Sequence, residues 1–241
     1  MSRRFNAALA LAVIALLPGW ARAEDHGPGW MAFSASPNNL VSVQRGARDF
    51  MNYCSGCHSL QYQRYQRMAT DLHIPDQLLK QDLMFNPDAK PGDTMVSAMP
   101  DQQAATWFGK APPDLSLEAQ VRGADWIYNY LQHFYLDPAR PTGANNPQLP
   151  NAAMPDVLWS LQGWQKLVGK GDQAHFESVS QGRMTPEQYR DFVADLVNFL
   201  DYVASPERAQ RLSVGFKTMI FLVILTGLLY LLNREYWRKI H

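Results

Sequence analysis

The chain has 241 residues, a mass of 27.3 kDa, two cysteines and a formal net charge of zero, from 22 Lys+Arg against 22 Asp+Glu. Hydrophobic residues make up 46% and charged residues 18%, a balance that buries a core and excludes wholesale disorder. A neutral sum gives no sign of a nucleic-acid binder, and the charges become informative only once they are located along the chain.

The N-terminus reads as a secretory signal peptide, residues 1–23. Arg3 and Arg4 precede an apolar run from Phe5 to Leu17. Pro18 and Gly19 break that run, and Ala21-Arg22-Ala23 forms an A-x-A cleavage site. The run is too short to span a bilayer. Residues 24–205 are then expected outside the cytoplasm as one exported domain.

Within that domain, helices are expected at four places. From Ser42 to Cys54, Val43, Ala47, Phe50 and Met51 share one face. Asp76 to Leu83 is a second candidate. Asp125 to Tyr135 is a third, with Trp126, Ile127, Tyr130, Leu131 and Phe134 apolar. The clearest runs from Pro186 to Val203. Thr185 is a good N-cap, Pro186 suits the first turn, and Gln188 completes a capping-box pattern. Between the third and fourth lies Pro138 to Pro150, a long loop rich in Pro, Gly and Asn; loops of this length in compact domains are commonly functional. No run alternates with period two, so little or no sheet is expected and the fold class is all-α with long loops.

A linker, residues 206–211, leads to a second apolar run. Leu212 to Leu232 holds 21 residues with Lys217 as the only formal charge. At about 1.5 Å per residue it reaches roughly 31 Å, the thickness of a hydrocarbon core. Tyr230, Tyr236 and Trp237 supply interfacial aromatics, and Arg234, Arg238 and Lys239 lie on the tail, residues 233–241. The positive-inside rule puts that tail in the cytoplasm and the domain on the other side.

Both cysteines fall in Cys54-Ser55-Gly56-Cys57-His58, the C-x-x-C-H pattern of c-type haem attachment. Two thiols three positions apart on one turn can each add to a haem vinyl group, and the adjacent His ligates the iron. A thioredoxin-type disulfide would need a βαβ context, and a zinc site would need further paired Cys or His. An exported location suits haem c. A second axial ligand is expected on the opposite face, and a thioether there favours the reduced iron. Of ten methionines, two share an Ala-Met-Pro setting in loops, Met99 and Met154. The residues alone leave these two open, with His73, His133 and His175 as weaker candidates.

The order of these parts resembles the cytochrome c1 family, the haem-c subunit of the bacterial ubiquinol–cytochrome c oxidoreductase (cytochrome bc1) complex. The resemblance covers essentially the whole chain. It rests on Cys54-Ser55-Gly56-Cys57-His58-Ser59-Leu60, on Ala111-Pro112-Pro113-Asp114-Leu115-Ser116, on Ala153-Met154-Pro155, and on one C-terminal span with a short basic tail. It implies a class I cytochrome c-like haem domain and one covalently attached haem c. It implies His58 and Met154 as the iron ligands, with Met154 preferred over Met99. It implies Pro112, Pro113 and Leu115 along the haem and Arg122 at a propionate. Its implied partners are cytochrome b, the Rieske iron–sulfur protein, a soluble or tethered cytochrome c and the membrane of a bacterial cell, with the haem domain in the periplasm and the complex dimeric. This chain departs from the family pattern at Trp126, where a Tyr is common, so its role and that of Tyr128 stay open. It also lacks the extra cysteine pair of some relatives.

Located along the chain, the neutral charge separates. Residues 24–205 carry 13 Lys+Arg against 20 Asp+Glu, a net of −7, and Glu207 onward carries +4.

Overall fold

The computed structural model describes residues 27–169 and 171–238. The segment read as a signal peptide and the last three residues of the basic tail lie outside the described residues.

Two helices form the spine of the domain. α1 (Leu40–Tyr53) is capped by the Asn39 side chain, which accepts from the Ser42 N–H at 3.3 Å. Its buried stripe of Val43, Ala47 and Phe50 lies on α8 (Pro186–Ala204), against Leu196, Val197, Phe199 and Leu200. Phe50 and Phe199 meet with ring centroids 5.6 Å apart. Gly46 lets the two backbones approach: a Cβ there would stand 2.0 Å from the Asp195 carbonyl oxygen. Asp195 is buried at the same crossing. It accepts from Ser42 Oγ at 2.6 Å and from Arg45 Nε and Nη2 at 2.5 and 2.8 Å.

The capping box expected at α8 is present in full: Gln188 N–H donates to Thr185 Oγ1 at 3.3 Å, and Thr185 N–H donates to Gln188 Oε1 at 2.9 Å. Thr185→Ala removes one of these bonds at the start of a 19-residue helix, and a loss of about 1 kcal/mol in unfolding free energy is expected by urea titration.

Between the spine helices the chain runs through shorter elements. β1 (Leu60–Arg64) is followed by α2 (Tyr65–Asp71), then by α3 (Asp76–Leu78), which continues as a π-helical turn at Leu79–Leu83. β2 (Thr94–Met95) leads to α4 (Asp101–Phe108), α5 (Glu118–Val121) and α6 (Ala124–Gln132). β3 (Tyr135–Leu136), β4 (Ala144–Asn145), α7 (Trp159–Gln162), β5 (Gln165–Val168) and β6 (His175–Ser178) complete the domain. The sheet content is small, as expected. Among the described residues it consists of three antiparallel pairs, β1 with β2, β3 with β4, and β5 with β6. The last has the longest register, from Gln165↔Ser178 to Val168↔His175.

α6 packs on α8, with Ile127 and Leu131 buried, and Tyr189 Oη donates to the Leu131 carbonyl at 2.7 Å. The N-terminal segment is strapped over α6. Asn129 donates to the Met31 carbonyl at 2.8 Å and accepts from the Met31 N–H at 2.7 Å, as a neighbouring strand would. Phe33 stacks on Tyr128 at 4.2 Å. Tyr128 is thereby committed to this strap.

α9 (Arg208–Arg238) is one continuous helix of 31 residues. The segment read as a linker is therefore helical from Arg208 onward, because Arg, Ala and Gln are all good helix formers. Its apolar side chains, from Val214 to Trp237, are exposed all round, and an 18-residue window within Ser213–Arg238 has a mean hydropathy of 2.0 with none of it buried. A helix apolar on every face and this long fits a bilayer.

Candidate functional site

The C-x-x-C-H motif forms the turn that ends α1. Cys54 N–H closes the helix onto the Phe50 carbonyl at 2.8 Å, and the N–H groups of Cys57 and His58 return to the Cys54 carbonyl at 3.0 and 2.9 Å. Both cysteines are free thiols. Burial, with Asp49 and Cys57 adding to it, pushes the Cys54 thiol up to about 12.

The A-P-P-D-L-S block clasps this turn. Leu115 N–H donates to the Ser59 carbonyl at 2.9 Å. Asp114 accepts from the N–H groups of Gln61 and Ser116 at 2.8 and 2.9 Å, and the buried Ser116 hydroxyl accepts from Tyr62 N–H at 3.1 Å. Two consecutive prolines suit the clasp, since they fix φ and leave no N–H to satisfy. The Pro113 carbonyl lies 2.8 Å from His58 Nδ1. A carbonyl can only accept, so Nδ1 carries the proton and Nε2 carries the lone pair. This is the tautomer a metal-binding imidazole needs. Burial holds the His58 ring below its usual range, outweighing the Pro113 bond and the nearby Glu118 and Asp114.

Cys54, Cys57 and His58 open onto a cavity of about 1400 Å³, measured with its open mouth. Pro112, Pro113 and Leu115 line it beside His58, and Arg122 and Met154 line it as well. All eight residues named from the sequence as binding a cofactor thus share one cavity. Apolar side chains make up most of its wall, with a few polar groups converging on it, as in a cofactor site. Met99 is not among the lining residues. Its segment is tied to the motif backbone instead, through Ser97 Oγ to the Gly56 carbonyl at 2.8 Å and Ser97 N–H to Ser59 Oγ at 2.9 Å. His133 stacks on Phe176 at 4.8 Å and bonds Gln148, and it does not line the cavity.

The Met154 loop is held by side chains of the long Pro-rich loop. Asn151 adopts a left-handed conformation, φ 66°, and its N–H donates to Asn145 Oδ1 at 2.9 Å. Arg140 Nη1 holds the Asn151 side chain at 2.9 Å. Buried Asn146 donates to the Tyr130 carbonyl at 2.7 Å, which ties the loop to α6.

Several lining residues carry no signal of their own in a first reading of the sequence. Leu196 and Leu200 of α8 and Ile127 and Leu131 of α6 supply apolar wall, and Lys110 adds a second cation. Trp126 and Tyr130 also line the cavity, one helical turn apart, stacked at 4.9 Å. The Arg122 guanidinium lies 4.4 Å over the Trp126 ring, while its Nε donates to Glu118 at 2.6 Å. The fourfold spacing of Trp126, Tyr130 and Phe134 was the available sequence signal.

The donor set fits a covalently held haem. It combines two thiols on one turn, an imidazole with its lone pair free, a thioether, apolar walls and cations at the rim.

Comparison with known proteins agrees with this chemistry. The Cytochrome C1 family profile matches residues 36–240. The chain is 46% identical over 209 residues to cytochrome c1 of Allochromatium vinosum, covering 83% of this chain and 85% of that one. It is 43% identical over 201 residues to a protein of Nitrosomonas europaea named ammonia monooxygenase gamma subunit, covering 83% and 84%. Mitochondrial cytochrome c1 heme protein of Saccharomyces cerevisiae is 29% identical over 241 residues, covering 88% and 72%. The chain belongs to the cytochrome c1 family, whose members carry a covalently bound haem c and serve as the electron-transfer subunit of the bc1 complex beside cytochrome b and the Rieske protein.

Proposed function

We infer that this chain accepts one electron from the Rieske iron–sulfur protein and passes it to a soluble or tethered cytochrome c. The haem, when bound, supplies a one-electron couple between ferric and ferrous iron. Cys54 and Cys57 would anchor it through thioether bonds, and His58 Nε2 and Met154 Sδ would ligate the iron. With both ligands supplied by the chain, the iron would carry electrons and take no substrate. Arg122 pairs with a propionate, for which a guanidinium is the matched donor. Pro112, Pro113 and Leu115 would pack against the haem beside His58 and limit access of water there. The observation that carries this reading is the single cavity shared by these residues, with the His58 tautomer set by Pro113.

The head stands in the periplasm of a bacterial cell, held by the one C-terminal span, within a dimeric complex. The basic tail and the net charge of −7 on the head support that orientation and a basic electron acceptor. Attraction of this kind steers encounter and weakens as salt rises.

The Nitrosomonas relative, named as a monooxygenase subunit, supports a second reading, a haem subunit serving a monooxygenase. Purification from native membranes through a tag on this chain separates the two. Cytochrome b and the Rieske protein are expected to co-purify. Quinol should then reduce the haem c band in a reduced-minus-oxidised spectrum, and an inhibitor of the cytochrome b quinol site should block that reduction. Recovery with oxygenase subunits, or inhibitor-insensitive reduction, would favour the second reading.

A further inference from the structure

Inside the cavity the Tyr130 hydroxyl lies 3.8 Å from the sulfur of Met154. That separation is within reach of an O–H···S bond, in which the phenol donates and the thioether accepts. The ring is fixed on several sides. Trp126 stacks on it at 4.9 Å, Phe134 meets it edge-on at 4.9 Å, and Asn146 holds its backbone carbonyl. The Asn145–Asn151 contacts that seat the Met154 loop therefore also set the distance from sulfur to hydroxyl.

The geometry points to Tyr130 as a positioning residue for the axial methionine, one that tunes the redox couple by donating a hydrogen bond to Met154 Sδ. A thioether sulfur has two lone pairs. With Met154 as ligand, one would serve the iron and the second would be open to a donor. The hydrogen bond draws electron density from the sulfur and weakens its donation to the metal. Ferric iron needs that donation more than ferrous iron does. The bond from Tyr130 therefore favours the reduced state and raises the potential, in the direction in which a thioether already acts. It also leaves the ferric iron–sulfur bond easier to displace. Trp126 completes the device from the rim, stacked between the Arg122 guanidinium and the Tyr130 ring.

This inference rests on the reading of Met154 as the axial ligand, and the test keeps the two apart. Tyr130→Phe keeps the ring and removes the hydroxyl. In the full-length chain within its complex, the variant is expected to keep the sulfur-to-ferric-iron charge-transfer band and to show a lower midpoint potential. Its ferric form should bind added imidazole about 2- to 10-fold more weakly, the scale of one hydrogen bond. Tyr128→Phe removes a hydroxyl from the same helix outside the cavity, and should leave both properties near the parent values. An unchanged potential and imidazole affinity in Tyr130→Phe would overturn the inference, as would an equal shift in Tyr128→Phe. If the charge-transfer band instead survives in Met154→Leu, the ligand reading itself fails and this inference with it.

Discussion

Met154→Leu is expected to abolish methionine ligation of the haem and lower its midpoint potential, while Met99→Leu leaves the spectrum unchanged. Leucine nearly matches methionine in volume, so the loop should keep its fold and lose only the sulfur. That loop is held by groups other than Met154: the Asn151 backbone on Asn145, Arg140 on the Asn151 side chain, and the buried Ala152. A thioether favours ferrous iron, so its loss moves the couple down, and the open position becomes accessible to carbon monoxide in the reduced state. The measurement is a redox titration with the low-spin spectrum recorded alongside. Were Met99→Leu to alter the spectrum and Met154→Leu not, the axial ligand would be Met99.

Gly46→Ala is expected to cost the domain the largest share of its stability. The added Cβ would lie 2.0 Å from the Asp195 carbonyl oxygen and 2.7 Å from Phe199 Cβ. Overpacking a core commonly costs about 1–3 kcal/mol, through side chains that shift aside. Here the nearest atom is helical backbone, so α1 and α8 must separate as bodies, and the upper end of that range or more is expected. For a chain of this size about 3 kcal/mol corresponds to a melting temperature lower by roughly 6–12 °C. The same separation would disturb Phe50 on Phe199 and the turn at Cys54, so the yield of haem-loaded protein should fall too. A variant that melts within about 2 °C of the parent would show that the crossing has slack and that the glycine is incidental.

The legible parts of the sequence were those whose cause is local. Thr185, Pro186 and Gln188 announce α8 because a capping box is made by neighbours along the chain. The Cys54–His58 motif carries its geometry in its own spacing. The three strand pairs were not legible, since each strand has two to five residues and its partner is set by tertiary contact; Leu60 finds Met95 across a whole helical excursion. α4 escaped for a different reason. It buries only Ala104 and leaves Trp107 exposed, so it has no apolar stripe to detect. At the site, the residues on or near the two motifs could be named, whereas Tyr130 could not. Its place on an amphipathic helix was plain, but its approach to Met154 depends on how Asn145, Asn146 and Asn151 fold the long loop back onto α6. The same loop shows why local context left Met99 and Met154 equivalent: both sit in Ala-Met-Pro, and apart from the family resemblance only long-range contacts separate them.

The junction between the head and α9 has a mechanical meaning. Ser205, Pro206 and Glu207 are all that separate the two helices, and three residues extend at most about 11 Å. Arg208 reaches back to Asp201 at 3.2 Å, and Arg67 reaches forward to Glu207 at 2.8 Å, so even that short stalk is tethered on both sides. α8, whose Leu196 and Leu200 form a wall of the haem cavity, thus stands almost directly on the anchor. A redox centre mounted in this way has almost no reach of its own. It stands as a fixed post on the apolar helix, its height set by three residues and two ion pairs.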